Sequence, residues 1–269
     1  MVGQGSATRC SLIAPPPPSG RLAAAAALVT CAALGASGVL GAGGRPLLLA
    51  LVAVCIGAAW RARDQAVLQF GVVVVFTGVA HHLLGRWWPL PTVITLLGYG
   101  LALAASPRVR TGAGWLRRGR LDRAAGKVLA FFVVCQAIAL VLWRYTTSAD
   151  LDRFRALVPD VPIGLVAVGL VAVAIINAAY EELLWRGLAQ HALEAATGSR
   201  WAAWLLQGIG FGFWHYEGFP SGPVGATLAG VFALMMGYLR LRYRGMLAPF
   251  LAHVCADVTI FVLIAIMVL

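Results

Sequence analysis

The sequence predicts an all-α fold: a polytopic transmembrane helix bundle of eight or nine spans. Three observations predict it. Hydrophobic residues make up 61% of the 269 residues and charged residues only 12%, half of the roughly 25% that a water-facing surface carries. Apolar runs recur at close to the length of about 20 residues that crosses a bilayer. No run alternates with period two, which excludes a transmembrane β-barrel. The same composition excludes an ordinary soluble globule, a disordered chain and a nucleic-acid-binding domain with a charged shell.

Taken in order, residues 1–20, with the run Pro15 to Pro18, read as a flexible N-terminal tail. The Ala/Gly-rich stretch from Leu22 to Leu40 has signal-peptide character, but the many spans that follow make it an uncleaved first helix. Further apolar runs cover 46–60, 65–84, 87–106, 128–143, 163–184, 201–216, 224–239 and 246–269. The run 46–60 is short enough to be re-entrant or tilted, hence eight or nine spans. The chain thus divides into N-terminal transmembrane helices over 21–160, with a basic loop at 107–127, and a C-terminal transmembrane core over 161–269.

The net charge of +11 comes from 21 Lys+Arg against 10 Asp+Glu. In a membrane protein such an excess reports topology. With nine spans and the N-terminus inside, 16 basic residues fall inside, while Arg45, Arg86, Arg144, Arg153 and Arg155 fall outside. The stretch from Arg108 to Lys127 reads as a cytoplasmic anchor that meets anionic lipid headgroups of the bilayer. Apart from Trp115 it has no aromatic residues, and it carries no binding motif, so nucleic acid is not expected as a partner. The five cysteines show no paired spacing and read as small membrane-core residues.

Ionisable groups inside apolar helices are expensive, so each one is a candidate for function. Three places qualify, all in the last ninety residues or so. The first is Glu181-Glu182-Leu183-Leu184-Trp185-Arg186-Gly187. Adjacent carboxylates on a helix point about 100° apart, so they divide their roles. Glu182 and Arg186 are four apart, with the acid first, and form the favourable ion pair. Glu181 is left to face a neighbour. The second place is His215, at the end of an aromatic run, and the third is His253 with Asp257, four apart on one helical face. The turn near Gly198 is equidistant in sequence from Glu181 and His215, so an antiparallel pair brings both to one level, about 13 Å inside the membrane. Gln190, His191 and Glu194 mark the last turns of the first helix as protruding from the bilayer. His253, counted from the turn at Arg244, reaches the same depth.

The set Glu181-Glu182-x-x-x-Arg186, Phe211-x-x-x-His215 and His253-x-x-x-Asp257 resembles the three motifs of the CAAX protease and bacteriocin-processing (CPBP, Abi) family. Trp185-Arg186-Gly187 and the segment from Gly237 to His253 match its context. The resemblance covers roughly 163–269 and implies an intramembrane endopeptidase of the glutamic type. It implies that Glu181 activates water as general base, assisted by His215. His253 and residue 257 would bind the developing oxyanion, while Glu182 and Arg186 support the site. Burial makes a carboxylate a better base, and preorganised donors in a dry site stabilise the tetrahedral intermediate. Many members carry Asn at the last position. An ionised Asp257 only accepts hydrogen bonds, so it is either protonated or orients His253.

No cofactor is expected. A zinc site from His215, His253 and a glutamate is the alternative, although HExxH is absent. The non-enzymatic alternative is a membrane immunity or binding protein, or a transporter, that uses the same polar cluster. The expected partner is a membrane-associated peptide or protein substrate reaching a site open toward the cytoplasmic side. The sequence assigns no oligomeric state. Short connections and the lack of a sorting signal place the chain as a multi-pass protein of a bacterial plasma membrane.

Overall fold

The computed structural model describes residues 18–147 and 162–268. Most of the expected tail 1–20 lies outside the described residues, as do Arg153 and Arg155. All regular structure among the described residues is helical.

Local chemistry sets the helix ends. Helix α1 (Pro18–Ala62) is broken at Gly41, whose φ of 58° favours glycine. The break yields two apolar segments, Gly20–Gly41 and Gly43–Ala62, so the short run at 46–60 belongs to a helix of ordinary spanning length. Helix α2 (Gln65–Leu84) starts at Asp64, whose carboxylate accepts from the Val67 amide. After α3 (Leu90–Ala105), Ser106 caps the short α4 (Pro107–Gly112), and Asp122 caps α5 (Arg123–Thr146) in the same way. Helix α6 (Ile163–Glu181) continues as a π-helix over Glu182–Ala189 and then as α7 (Gln190–Thr197). Gly198, at φ 65°, stops it, and Ser199 caps α8 (Arg200–Trp214). Helices α9 (Gly222–Tyr243) and α10 (Leu247–Val268) complete the chain.

Small residues let these helices approach. Gly35 lies against Gly210, and Gly38 against the backbone of Trp214, so the first half of α1 runs alongside α8 in the same direction. Helix α9 crosses α8 in the opposite direction, with Gly212 against Gly230 and Ala226. Helix α10 packs against α6, α5 and α9. Seven described helices are long and apolar enough to cross a membrane. The other two apolar runs form α3, with 16 residues, and α8, with 15. At 1.5 Å per residue they reach about 24 and 22 Å, short of the roughly 30 Å hydrocarbon core. Length alone therefore gives seven spans among the described residues, where the run count gives eight or nine.

The bundle has two chemically different ends. One gathers the turns near Arg63, Gly198 and Arg244 with the connection from Ser106 to Asp122, and holds most of the arginines. The other gathers Gly41, the segment 85–89 and the segment 215–221. At the arginine end the basic connection folds back under the bundle. The Arg120 amide donates to the Tyr243 carbonyl at 2.9 Å, and the Met246 amide to the Arg117 carbonyl at 2.8 Å. Gly119 and Gly245 touch backbone to backbone, with no room for a Cβ on either. Trp115, 7% exposed, inserts from this connection against Gly187 of the π-helix and stacks on Tyr99.

Candidate active site

The π-helix, α8 and α10 bring the three sequence motifs to one place. Glu181 is the last residue of α6, His215 follows the last residue of α8, and His253 and Asp257 lie in the first half of α10. Glu181 Oε2 stands 3.5 Å from His253 Nε2 and 3.8 Å from His215 Nε2. His253 Nε2 is 3.7 Å from Asp257 Oδ1. Glu181, Glu182, His253 and Asp257 are all buried, and Arg186 is completely so.

The two glutamates divide as their helical offset requires, yet both reach His253. Glu182 Oε1 accepts from His253 Nδ1 at 2.7 Å and lies 3.4 Å from Arg186 Nη1. A carboxylate accepts, so Nδ1 carries the proton. Nε2 then points at Glu181 and Asp257, and donates only when the ring is doubly protonated. His215 is oriented the same way: Nδ1 donates to the Phe211 carbonyl at 3.0 Å, and Phe211 stacks on its ring with centroids 4.1 Å apart. Its Nε2 is left to accept, facing Glu181. The Arg186 guanidinium lies 4.6 Å from the centroid of the same Phe211 ring, so one phenylalanine braces both groups.

Asn177, one turn before Glu181, escaped the sequence reading. Its amide donates to Glu181 Oε1 and to Asp257 Oδ2, at 3.1 Å each. The signal was present as a lone amide four residues before Glu181 in an apolar run. Through Asn177, Asp257 has an acceptor's role at one oxygen. Glu181 Oε1 is thereby occupied, while Oε2 has no hydrogen-bond partner.

Toward the arginine end, Glu182, Arg186, Gln190 and Glu194 recur every four residues, and Glu194 closes the series with a 2.7 Å pair to Arg240. The turns expected to protrude from the bilayer are themselves packed against protein. Gln190 is fully buried, as are Ala192 and Leu193, because α7 packs against α1, α2 and α8.

A cavity of about 930 Å³ has Asn177, Glu181, His215, His253 and Asp257 in its wall. Beyond them its lining is mostly apolar, with Leu170, Val173, Phe232, Met235 and Ile260. It extends along α6 as far as Leu165 and along α10 as far as Ile264, where Trp88, Pro89 and Phe219 join it. Leu165, Ile264, Trp88, Pro89 and Phe219 lie toward the end away from the arginines, whereas the sequence leads one to expect a site open on the arginine side. The depth count from Gly198 placed the level of the residues but not the free volume. Between the site and the Gly198 turn the space is filled by Trp185, Leu188 and Leu193, each almost wholly buried. Among the described residues no group of three or more His, Cys, Asp or Glu side chains is arranged to hold a metal ion.

Comparison with the curated proteins and with the solved structures gave no match. One family model does match, and its span includes all seven motif residues and Asn177. Over residues 162–259 the chain is similar to the Rce1-like family, described as type II CAAX prenyl endopeptidase Rce1-like, a likeness that suggests an intramembrane protease of the CAAX type.

Proposed function

We propose that the chain is an intramembrane endopeptidase that hydrolyses a peptide bond of a membrane-associated protein or peptide with water activated by Glu181. The observation that carries this is the buried Glu181 Oε2, without a hydrogen-bond partner and facing the Nε2 atoms of two histidines at 3.5 and 3.8 Å. A water seated beside Oε2 is within reach of both Glu181 and His215. Glu181 takes the proton of that water as it attacks the carbonyl and returns it to the departing amine as the C–N bond breaks, while His215 Nε2 accepts the water's second hydrogen bond and fixes its direction. His253, doubly protonated, donates from Nε2 to the oxyanion. Asp257, held by Asn177, orients His253. Glu182 and Arg186 support the ring from beneath. Counting α3 and α8 as short spans gives nine, with the arginine end in the cytoplasm of a bacterial plasma membrane.

Glu181→Gln tests the reading. It keeps size and one acceptor oxygen and removes the base. Loss of a general base lowers turnover by about 10²- to 10⁴-fold, read as disappearance of cleavage products from the membrane peptidome while the variant still folds. Full activity in Glu181→Gln would overturn the protease reading in favour of a binding or transport role. The reaction as written needs no metal. Inactivation by a chelator, with recovery on adding zinc, would instead make His215, His253 and Glu181 metal ligands.

A further inference from the structure

The cavity runs from the middle of the bundle to the end away from the charges. Leu165 and Val166 are in the first turn of α6, Phe261 and Ile264 are near the end of α10, and Trp88, Pro89, Gly218, Phe219 and Pro220 are in connections at the end away from the arginines. No residue of the connection 106–122, of the turn at Gly198 or of the turn at Arg244 lines it. The path from Glu181 back to Leu165 spans sixteen residues of helix, or about 24 Å.

The arginine end is closed twice. The basic connection is tied to the α9–α10 turn by three backbone hydrogen bonds, Arg120 to Tyr243, Met246 to Arg117 and Leu247 to Arg118. Above it, Trp115 fills the space against Gly187. Positively charged connections stay on the cytoplasmic side of a plasma membrane. Arg61, Arg63, Arg108, Arg110, Arg117, Arg118, Arg120, Arg240, Arg242 and Arg244 all belong to the closed end.

We infer that the cavity takes its substrate from the exoplasmic half of the membrane. Resting on the endopeptidase reading above, this makes the substrate class the outer-leaflet or extracytoplasmic segment of a membrane protein or an exported peptide. The cleaved stretch is extended and apolar, matching walls of Leu170, Val173, Phe232, Met235 and Ile260. A cytosolic tail would have to pass the closed end or reverse its direction in the membrane.

The test has two arms. In the first, Glu217→Cys, at the exposed far end, and Arg120→Cys, in the basic connection, are introduced separately into the full chain. Intact cells are then treated with a membrane-impermeant maleimide. Glu217→Cys labels in intact cells, and Arg120→Cys labels only after permeabilisation, both above the unsubstituted protein. The opposite pattern overturns the inference and leaves the protease reading intact.

In the second arm, right-side-out and inside-out vesicles from the same cells receive a quenched fluorescent library of apolar peptides bearing an N-terminal acyl chain. Cleavage above the Glu181→Gln background appears in right-side-out vesicles and is lost in inside-out ones. Cleavage only in inside-out vesicles overturns the inference. Cleavage in neither overturns the protease reading on which it rests, while the labelling still decides which face the cavity mouth occupies.

Discussion

Replacing Glu182 by alanine strands two buried donors at once. Arg186 Nη1 loses a carboxylate 3.4 Å away, and His253 Nδ1 loses its acceptor at 2.7 Å. At an effective dielectric of about 20, unit charges at that separation attract by about 5 kcal/mol. Removing one partner of a buried pair costs about 3–5 kcal/mol, because the other charge stays behind. A buried imidazole donor without an acceptor adds about 1–3 kcal/mol. Glu182→Ala is therefore expected to destabilise the bundle by about 4 kcal/mol or more, and Arg186→Ala by about 3–5 kcal/mol. The double variant removes both charges, so its loss falls short of the sum of the singles by about 3 kcal/mol. Thermal unfolding of the purified chain in detergent measures all three, at roughly 2–4 °C per kcal/mol for a chain of this size. Losses that add to within about 0.5 kcal/mol would refute the pairing and make Arg186 merely a packed side chain.

Asn177→Ala frees Glu181 Oε1 and Asp257 Oδ2 together; turnover of the reporter library falls about 10- to 100-fold with little change in KM, as expected when a supporting hydrogen bond to a catalytic group is lost, and an unchanged turnover would remove Asn177 from the site. Gly187→Val drives a side chain into the Trp115 ring, whose atoms stand 2.6–2.9 Å from an ideal Cβ. The cost is about 1–3 kcal/mol, recovered in part by adding Trp115→Ala, and absence of recovery would show that the clash lies elsewhere. Gln190→Leu exchanges two buried polar atoms without hydrogen-bond partners for apolar ones. Its melting temperature should hold or rise, whereas a loss above about 2 kcal/mol would reveal ordered water joining Gln190 to Arg186.

Much of the fold was legible because membrane helices announce themselves by length and composition. Each of the nine apolar runs is helical, and Asp64, Asp122 and Ser199 cap helices at or just before the start of a run. The common level of Glu181, His215 and His253 followed from counting back from Gly198 and Arg244, since helical rise is constant. What counting does not supply is rotation. Where nearly every side chain in a helix is apolar, periodicity does not mark which face meets lipid and which meets protein. That is why Asn177 went unread, why the burial of Gln190 in protein was not foreseen, and why the extent of the cavity along the bundle did not follow. Trp115 was hidden for a different reason: a tryptophan among arginines looks like an interfacial anchor until its ring is found against Gly187.

The π-helical winding from Glu182 to Ala189 has a consequence for comparing this chain with others. A π turn behaves as an α-helix carrying an extra residue. Deleting one residue within Leu183–Leu188 would let uniform α-helical winding replace the π turn, with the faces on either side kept nearly in phase. Glu194 would stay near Arg240, and Glu181 near the histidines. Chains without the extra residue can therefore present the same groups at a spacing one residue shorter. An alignment that closes such a gap to preserve the motif spacing would superpose letters that do not share a face.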